Sequence, residues 1–164
     1  MQKKPLVYVE TTVISYYVSR QSKSLIVRSN QEITKKWWRR AGDLFTPLIS
    51  TEVLSEISQG DALLAARRFE AIQHWPVLAP TRAIATLAKS YLAKTALPEK
   101  AERDAIHIAF ATVHEIDFLA TWNCTHIANA FHIKRIQYIN WDHGYSTPVI
   151  CTPQEMLSDE QHGA

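Results

Sequence analysis

The stretch "LVYVETTVIS", residues 6–15, decides how the chain is read. Leu6, Val7, Tyr8 and Val9 form a short continuous apolar run, the pattern of an interior parallel strand covered on both faces. A carboxylate and two hydroxyls, Glu10, Thr11 and Thr12, interrupt it before apolar character resumes at Val13 and Ile14. An open parallel sheet gathers ligands outside the carboxyl ends of its strands. An acid and two hydroxyls at that point therefore call for a chemical reading as well as a structural one.

Outward from this strand, residues 24–42 carry Ile26, Ile33, Trp37 and Ala41 in steps of seven, four and four, one face of a helix with Gly42 as its stop. The apolar segment 44–49 predicts a second strand, and Ser50 or Thr51 caps a helix ending near Gly60. Asp61 caps the next helix, residues 75–80 read as a short strand, and Thr81 caps a helix running to about Ala96. Pro98 and Glu99 suit the first turn of an alanine-rich helix over residues 99–115. "IDFLATWN", residues 116–123, repeats the opening pattern of an apolar strand ending in polar residues. A helix is predicted over 125–135, a last strand at Val149 and Ile150, and a short helix from Pro153. Helices alternating with short apolar strands give an α/β fold with a mainly parallel sheet. No repeat or long linker divides the chain, so residues 1–157 read as one domain, with fraying expected from Ser158 onward.

The totals agree. A length of 164 residues, 46% hydrophobic and 21% charged, suits one globular domain. A net charge of +2 neither demands nor excludes a nucleic-acid partner. Cys124 and Cys151 are the only cysteines and form no C-x-x-C pair, which points to a reduced, cytoplasmic protein. No stretch approaches the roughly 20 apolar residues of a membrane span, and Pro5 and Glu10 bracket too few for a signal-peptide core. A soluble protein with no membrane partner is expected.

Glu10 and Asn123 stand at the ends of two strands, while Glu56 and Asp104 lie on helices flanking the sheet. Asp104 sits among Ala101, Ala105, Ile108 and Ala111, where a carboxylate is costly unless paired, hydrated or bound to a cation. Three acids and an amide converging on one crevice would repel each other, and a hard divalent cation, Mg2+ or Mn2+, relieves that. Such a cation can supply a water nucleophile and stabilise in-line displacement at phosphorus. On this reading Glu10 is a metal ligand, and Thr11 or Thr12 orients a phosphate or the ligand itself.

These residues resemble the motifs of PIN-domain nucleases. "VYVETTVIS" is similar to their opening strand and first acid, "STEVLSEI" to the second acidic motif, "RDAIHIAFA" to the third and "DFLATWN" to the fourth, in order over about the first 130 residues. Within that family the pattern resembles the VapC-type toxin ribonucleases and their prokaryotic relatives. The resemblance implies a three-layer α/β/α domain that cleaves RNA with Mg2+ or Mn2+. It implies catalytic positions at Glu10, Glu56, Asp104 and Asn123, with Glu10, Asp104 and Glu56 holding the metal. Thr11 and Thr121 are weaker candidates for substrate contact. A small antitoxin protein and a second copy of the chain are the partners implied beside RNA. Two positions depart from the family, since Glu10 and Asn123 stand where Asp is usual.

Each residue also has a plainer reading. Glu10 could pair with an arginine, Glu56 could be a solvated acid sharing a face with Glu52, and Asp104 could pair with Lys100 or Arg103. Asn123 could only cap the following helix, with Thr125 competing. His107, one turn after Asp104 on the same side, could touch substrate but reads more readily as a packed or hydrogen-bonded residue, and His126 and His132, six apart, do not share a helical face as zinc ligands would. "KKWWRR", residues 35–40, offers cations and aromatics to RNA or else a solvated helix face with Trp37 buried. The rival to a ribonuclease is a catalytically degenerate PIN-like module for RNA binding or protein interaction. A phosphoryl-receiving signalling domain stands third, lacking the paired acids and strand-end lysine it needs.

Overall fold

The computed structural model describes residues 3–94 and 96–157, so the tail from Ser158 lies outside the described residues. Five strands, β1 (Leu6–Val9), β2 (Thr46–Ser50), β3 (Val77–Leu78), β4 (Phe118–Ala120) and β5 (Val149–Cys151), form one sheet in the order β3-β2-β1-β4-β5. Every pairing is parallel, with Tyr8 opposite Leu48 and Leu119, and Ala120 opposite Cys151. The opening stretch is thus the central strand. Val7, Tyr8 and Val9 are fully buried, which is why that run alternates nothing.

The helices are α1 (Thr11–Val18), α2 (Leu25–Leu44), α3 (Thr51–Ile57), α4 (Ala62–Ile72), α5 (Arg82–Ala93), α6 (Glu102–Val113) and α7 (Ala130–Asp142). α1, α2, α3 and α4 pack on one another, as do α5, α6 and α7. Strand order runs one way from β1 to β3 and the other way from β4 to β5, so right-handed crossovers place these two groups on opposite faces. The result is the expected three-layer α/β/α arrangement. The reversal between β1 and β4 is the switch point where such sheets bind ligands.

Local chemistry explains most element starts. Ser50, Asp61 and Thr81 cap α3, α4 and α5 by accepting from the backbone three residues on, as the sequence predicts. Three expectations fail. Gly42 does not stop α2, which continues to Leu44 because Ala41 and its turn still pack on the core. The helix predicted over 125–135 instead begins at Ala130, capped by Asn129, and runs to Asp142. Residues 124–127 are turns, since the Asn123 side chain accepts from the His126 N–H at 3.1 Å and diverts the backbone. After β5 the chain makes turns at 153–154 and a short 3-10 segment over 155–157 rather than an α-helix.

Trp122 ties β4 to the far layer. Its backbone N–H donates to Thr12 Oγ1 at 2.8 Å, and its indole N–H donates to Thr34 Oγ1 on α2 at 2.7 Å. On the other face, Tyr91 of α5 donates to Asn140 Oδ1 of α7, whose amide donates to Thr147 at 2.9 Å. Polar contacts thus tie the carboxyl end of β4 to α1 and α2, and α5 to α7, as well as packing does. These contacts fix side-chain direction where apolar packing alone would not.

Candidate active site

Hydrogen bonding of the sheet continues one residue past its strands. Glu10 N–H donates to Ala120 O and Thr121 N–H to Cys151 O, both at 3.0 Å, which sets Glu10 and Thr121 side by side at the switch point. Glu10 is the N-cap of α1, a helix the sequence reading passes over. Its Oε2 accepts from Thr12 N–H at 3.2 Å, from the Thr12 hydroxyl, and from the Thr121 hydroxyl at 2.7 Å. The acid and two hydroxyls that end the strand thus start a helix and join the sheet to it. Glu10 is nonetheless only 4% exposed. Burial pushes its carboxyl above the usual glutamate range, more than the neighbouring His107 and the donated bonds pull it down.

Glu56 projects from α3 toward the same point. Its Oε2 accepts from the Thr11 hydroxyl and contacts His107 Nε2 at 2.8 Å. Behind it runs a buried chain: His107 Nδ1 lies 2.7 Å from the Tyr8 hydroxyl, which lies 2.7 Å from Ser50 Oγ, the cap of α3. Burial raises the Glu56 carboxyl, but the bond and charge of His107, the Thr11 bond and Arg103 outweigh it, leaving a net lowering. Burial lowers His107, yet the bond to Glu56 and the charges of Glu10, Glu56 and Glu52 outweigh it, leaving a net rise. One ligand atom from each of Glu10, Glu56 and His107 falls within 4.8 Å of the others. His107 is thus central to the cluster, not merely a packed residue as the sequence reading left it.

Asp104 and Asn123 form a second, adjoining group. Asp104 Oδ1 accepts from the Asn123 amide at 2.9 Å, and its Oδ2 contacts His126 Nδ1 at 2.8 Å. Among the described residues Asp104 pairs with neither Lys100 nor Arg103 but lies opposite an amide and an imidazole; Arg103 instead approaches Glu52 and Glu56, each at 3.8 Å. Asn123 spends its carbonyl on the His126 N–H, closing the turn over residues 124–127, while Asn129 is the residue that caps the following helix. The two groups touch through Thr121, whose hydroxyl oxygen accepts from Asn123 N–H at 2.9 Å while its proton goes to Glu10. All the candidate positions, Glu10, Glu56, Asp104, Asn123, Thr11 and Thr121, therefore sit in one connected stretch of the molecule. Asp104 and Asn123 stand outside the close trio.

Elsewhere the tempting basic-aromatic stretch is occupied by its own packing. Trp37 is fully buried, and Trp38 is sandwiched between Tyr17, at 4.0 Å and 5° between rings, and Trp75 at 4.7 Å. Neither indole face of Trp38 is left for a base. His126 and His132 do come together, with ring centroids 6.2 Å apart, because His126 belongs to the turn before α7 and not to the helix.

A five-stranded parallel sheet in this order, with polar groups gathered at its switch point, defines a PIN-like fold. The chain is similar over 90% of its length to 98% of a chain in the crystal structure of VapBC2 from Rickettsia felis bound to a DNA fragment from their promoter, with a TM-score of 0.56 and 12% identity. At that identity the likeness is one of fold alone. No protein-family model matches the sequence, and no curated protein matches it. Among the described residues, no helix is long and apolar enough to cross a membrane.

Proposed function

We propose that this protein is a metal-dependent ribonuclease that hydrolyses RNA phosphodiester bonds, with Mg2+ or Mn2+ at the strand ends. The observation that carries the reading is the convergence of Glu10 and Glu56 with His107 within 4.8 Å at the switch point of the sheet. Two carboxylates in a largely buried setting need positive charge, and the donor set fits a hard divalent cation with waters filling its remaining positions. Glu10 and Glu56 would hold it, with Asp104 at its flank. His107 would add a nitrogen donor once its proton rests on Nδ1 against Tyr8, a donor more congenial to Mn2+ than to Mg2+.

When bound, the cation would supply the positive charge that stabilises an attacked phosphate and eases formation of a water nucleophile near neutral pH. The chain's own residues do the positioning. Thr121 and Thr12 fix the Glu10 carboxylate, and Thr11 fixes Glu56. Tyr8 and Ser50 hold the His107 ring, so the cluster would meet a substrate without rearranging.

The likeness to a VapBC2 chain supports the narrower reading of a toxin with a small antitoxin protein as partner, acting as a homodimer in the cytoplasm. The free thiols Cys124 and Cys151 suit a reducing compartment. The deciding experiment incubates the parent, Glu10→Gln and Glu56→Gln with mixed RNAs in Mn2+, Mg2+ or EDTA. Cleavage that needs metal and falls at least about a hundredfold in both variants is the expected result. A folded parent that cleaves no RNA in either metal would instead favour a degenerate binding module, a reading suggested by the amide of Asn123 on Asp104.

A further inference from the structure

A cavity of about 960 Å³ opens between the end of α5, the segment before α6 and the start of α7, and its wall includes His126. His126 is bonded to Asp104 at 2.8 Å, so the cavity adjoins the candidate site directly. Three cations converge on it from three separate elements: Lys89 from α5, Lys100 from the turn leading into α6, and Arg135 from α7. Among the described residues that line it, Glu99 is the one acid. Lys89 and Lys100 form no ion pair among the described residues, and both are exposed. Standing at a wall that adjoins Asp104 through His126, these two lysines are disposed for an anion brought from outside.

A second basic cavity, of about 660 Å³, is lined by Lys35, Arg39 and Arg67 together with Glu70. It differs on three counts. Lys35 is already paired with Glu32 at 3.0 Å, and the nearby Trp38 is stacked on both faces. Tyr17, on its wall, lies about 9 Å along α1 from Thr11 at 1.5 Å per residue, at the end away from the carboxylates. Only the first cavity combines uncommitted charge with contact to the site.

Resting on the ribonuclease reading, we propose that the cavity between α5 and α7 seats the phosphate backbone of single-stranded RNA on the Asp104 side of the candidate site, with Lys89 and Lys100 as its cationic contacts. His132 holds the far wall by donating from Nδ1 to the Ala96 carbonyl at 2.7 Å, and its ring edges the cavity opposite the ring of His126. Contacts of this kind bind any sequence and are dominated by counterion release, so they have a salt signature.

The test is fluorescence anisotropy with a fluorescein-labelled single-stranded RNA of about 12 nucleotides in EDTA, where cleavage cannot intervene. The proteins compared are the parent, the double variant Lys89→Ala with Lys100→Ala, and the control Lys35→Ala with Arg39→Ala. The cavity variant is expected to bind roughly tenfold more weakly and to lose about 1.4 from the slope of log affinity against log salt, about 0.7 per contact. The control should stay within about twofold of the parent. Equal losses in both variants, no loss in the cavity variant, displacement of the RNA by equimolar duplex DNA, or no RNA binding by the parent would each overturn the assignment. A parent that binds through Lys89 and Lys100 but cleaves nothing in Mn2+ keeps the cavity and removes the nuclease. Cleavage that survives while the cavity variant binds normally does the reverse.

Discussion

The two adjoining polar groups solve the same problem differently. Asp104 faces an amide and an imidazole, so its negative charge is answered by donors from Asn123 and His126. Glu10 and Glu56 take hydroxyl donors from Thr12, Thr121 and Thr11, yet they bring two carboxylates within 4.8 Å of each other around His107, and Glu10 is almost fully buried. The first arrangement sets its one charge against an amide and an imidazole, whereas in the second the hydroxyl donors leave two neighbouring negative charges that a proton on His107 or a cation relieves. An acid beside a strand end does not by itself create a need for metal. What matters is whether its neighbours donate or repel.

Asn123→Asp should erase that difference. It would set a carboxylate where an amide now donates to Asp104 at 2.9 Å, and metal-free stability should fall by about 3 kcal/mol from the unpaired, partly buried charge. Urea unfolding with and without Mn2+ checks it, and Mn2+ should restore more stability to this variant than to the parent. A variant as stable as the parent in EDTA would mean that water already separates the two side chains.

Tyr8→Phe should cost less, about 2 kcal/mol, since it keeps the ring stacked on Phe110 but strips buried His107 and Ser50 of their shared hydroxyl. It attacks only the carboxylate trio. A chemical-shift map of the variant should therefore show changes at His107 and Glu56 and little at His126. Broad changes at both histidines would show that the two groups behave as one.

Glu10→Gln should sharpen the contrast in the opposite direction. Removing a buried charge while leaving an oxygen for the three donors should raise metal-free stability by about 1 kcal/mol and abolish stabilisation by Mn2+. Thermal melts across a Mn2+ titration read both effects, and a variant still stabilised by Mn2+ to the parent's extent would remove Glu10 from the metal site.

The smallest effect is in pH. The lowered Glu56 favours folding above the unfolded glutamate value of about 4.3, and the raised His107 favours it below the unfolded histidine value of about 6.5. Their bond should therefore stabilise the metal-free protein fully between those limits. The gain fades as pH rises through the folded value of His107 or falls through that of Glu56. Against His107→Gln, the parent's stability should show this extra plateau, about 1 kcal/mol high. Parallel stability curves for the two proteins from pH 4 to 8 would contradict it.

Much of the fold was legible because its signals are local. Apolar runs marked the strands, and Ser50, Asp61 and Thr81 announced their helices. Helix α1 was not legible, because glutamate is an uncommon cap and Val13, Ile14, Tyr16 and Tyr17 resemble strand residues. The start of α7 was missed because Asn123 turned the chain where Thr125 promised a helix. In the site, the resemblance to PIN-domain motifs pointed to the acids, but the surroundings of His107 and Asn123 depend on partners far along the chain. His107 meets Tyr8 across 99 residues and Glu56 across 51, which no periodicity encodes. The nearest signal was a histidine one turn from Asp104 on a helix buried almost all round.

All three bonds donated to Glu10 fall on one oxygen, Oε2. The ionised carboxylate is therefore electronically lopsided, with more double-bond character in the C–Oε1 bond than in its twin. One oxygen anchors the helix and the sheet, and the other remains for chemistry. An aspartate, one methylene shorter, would have to give up one of these tasks, which is a physical reason for glutamate to stand at this position. In the infrared, the antisymmetric and symmetric stretches of such a group lie unusually far apart, and a cation settling on Oε1 draws them together.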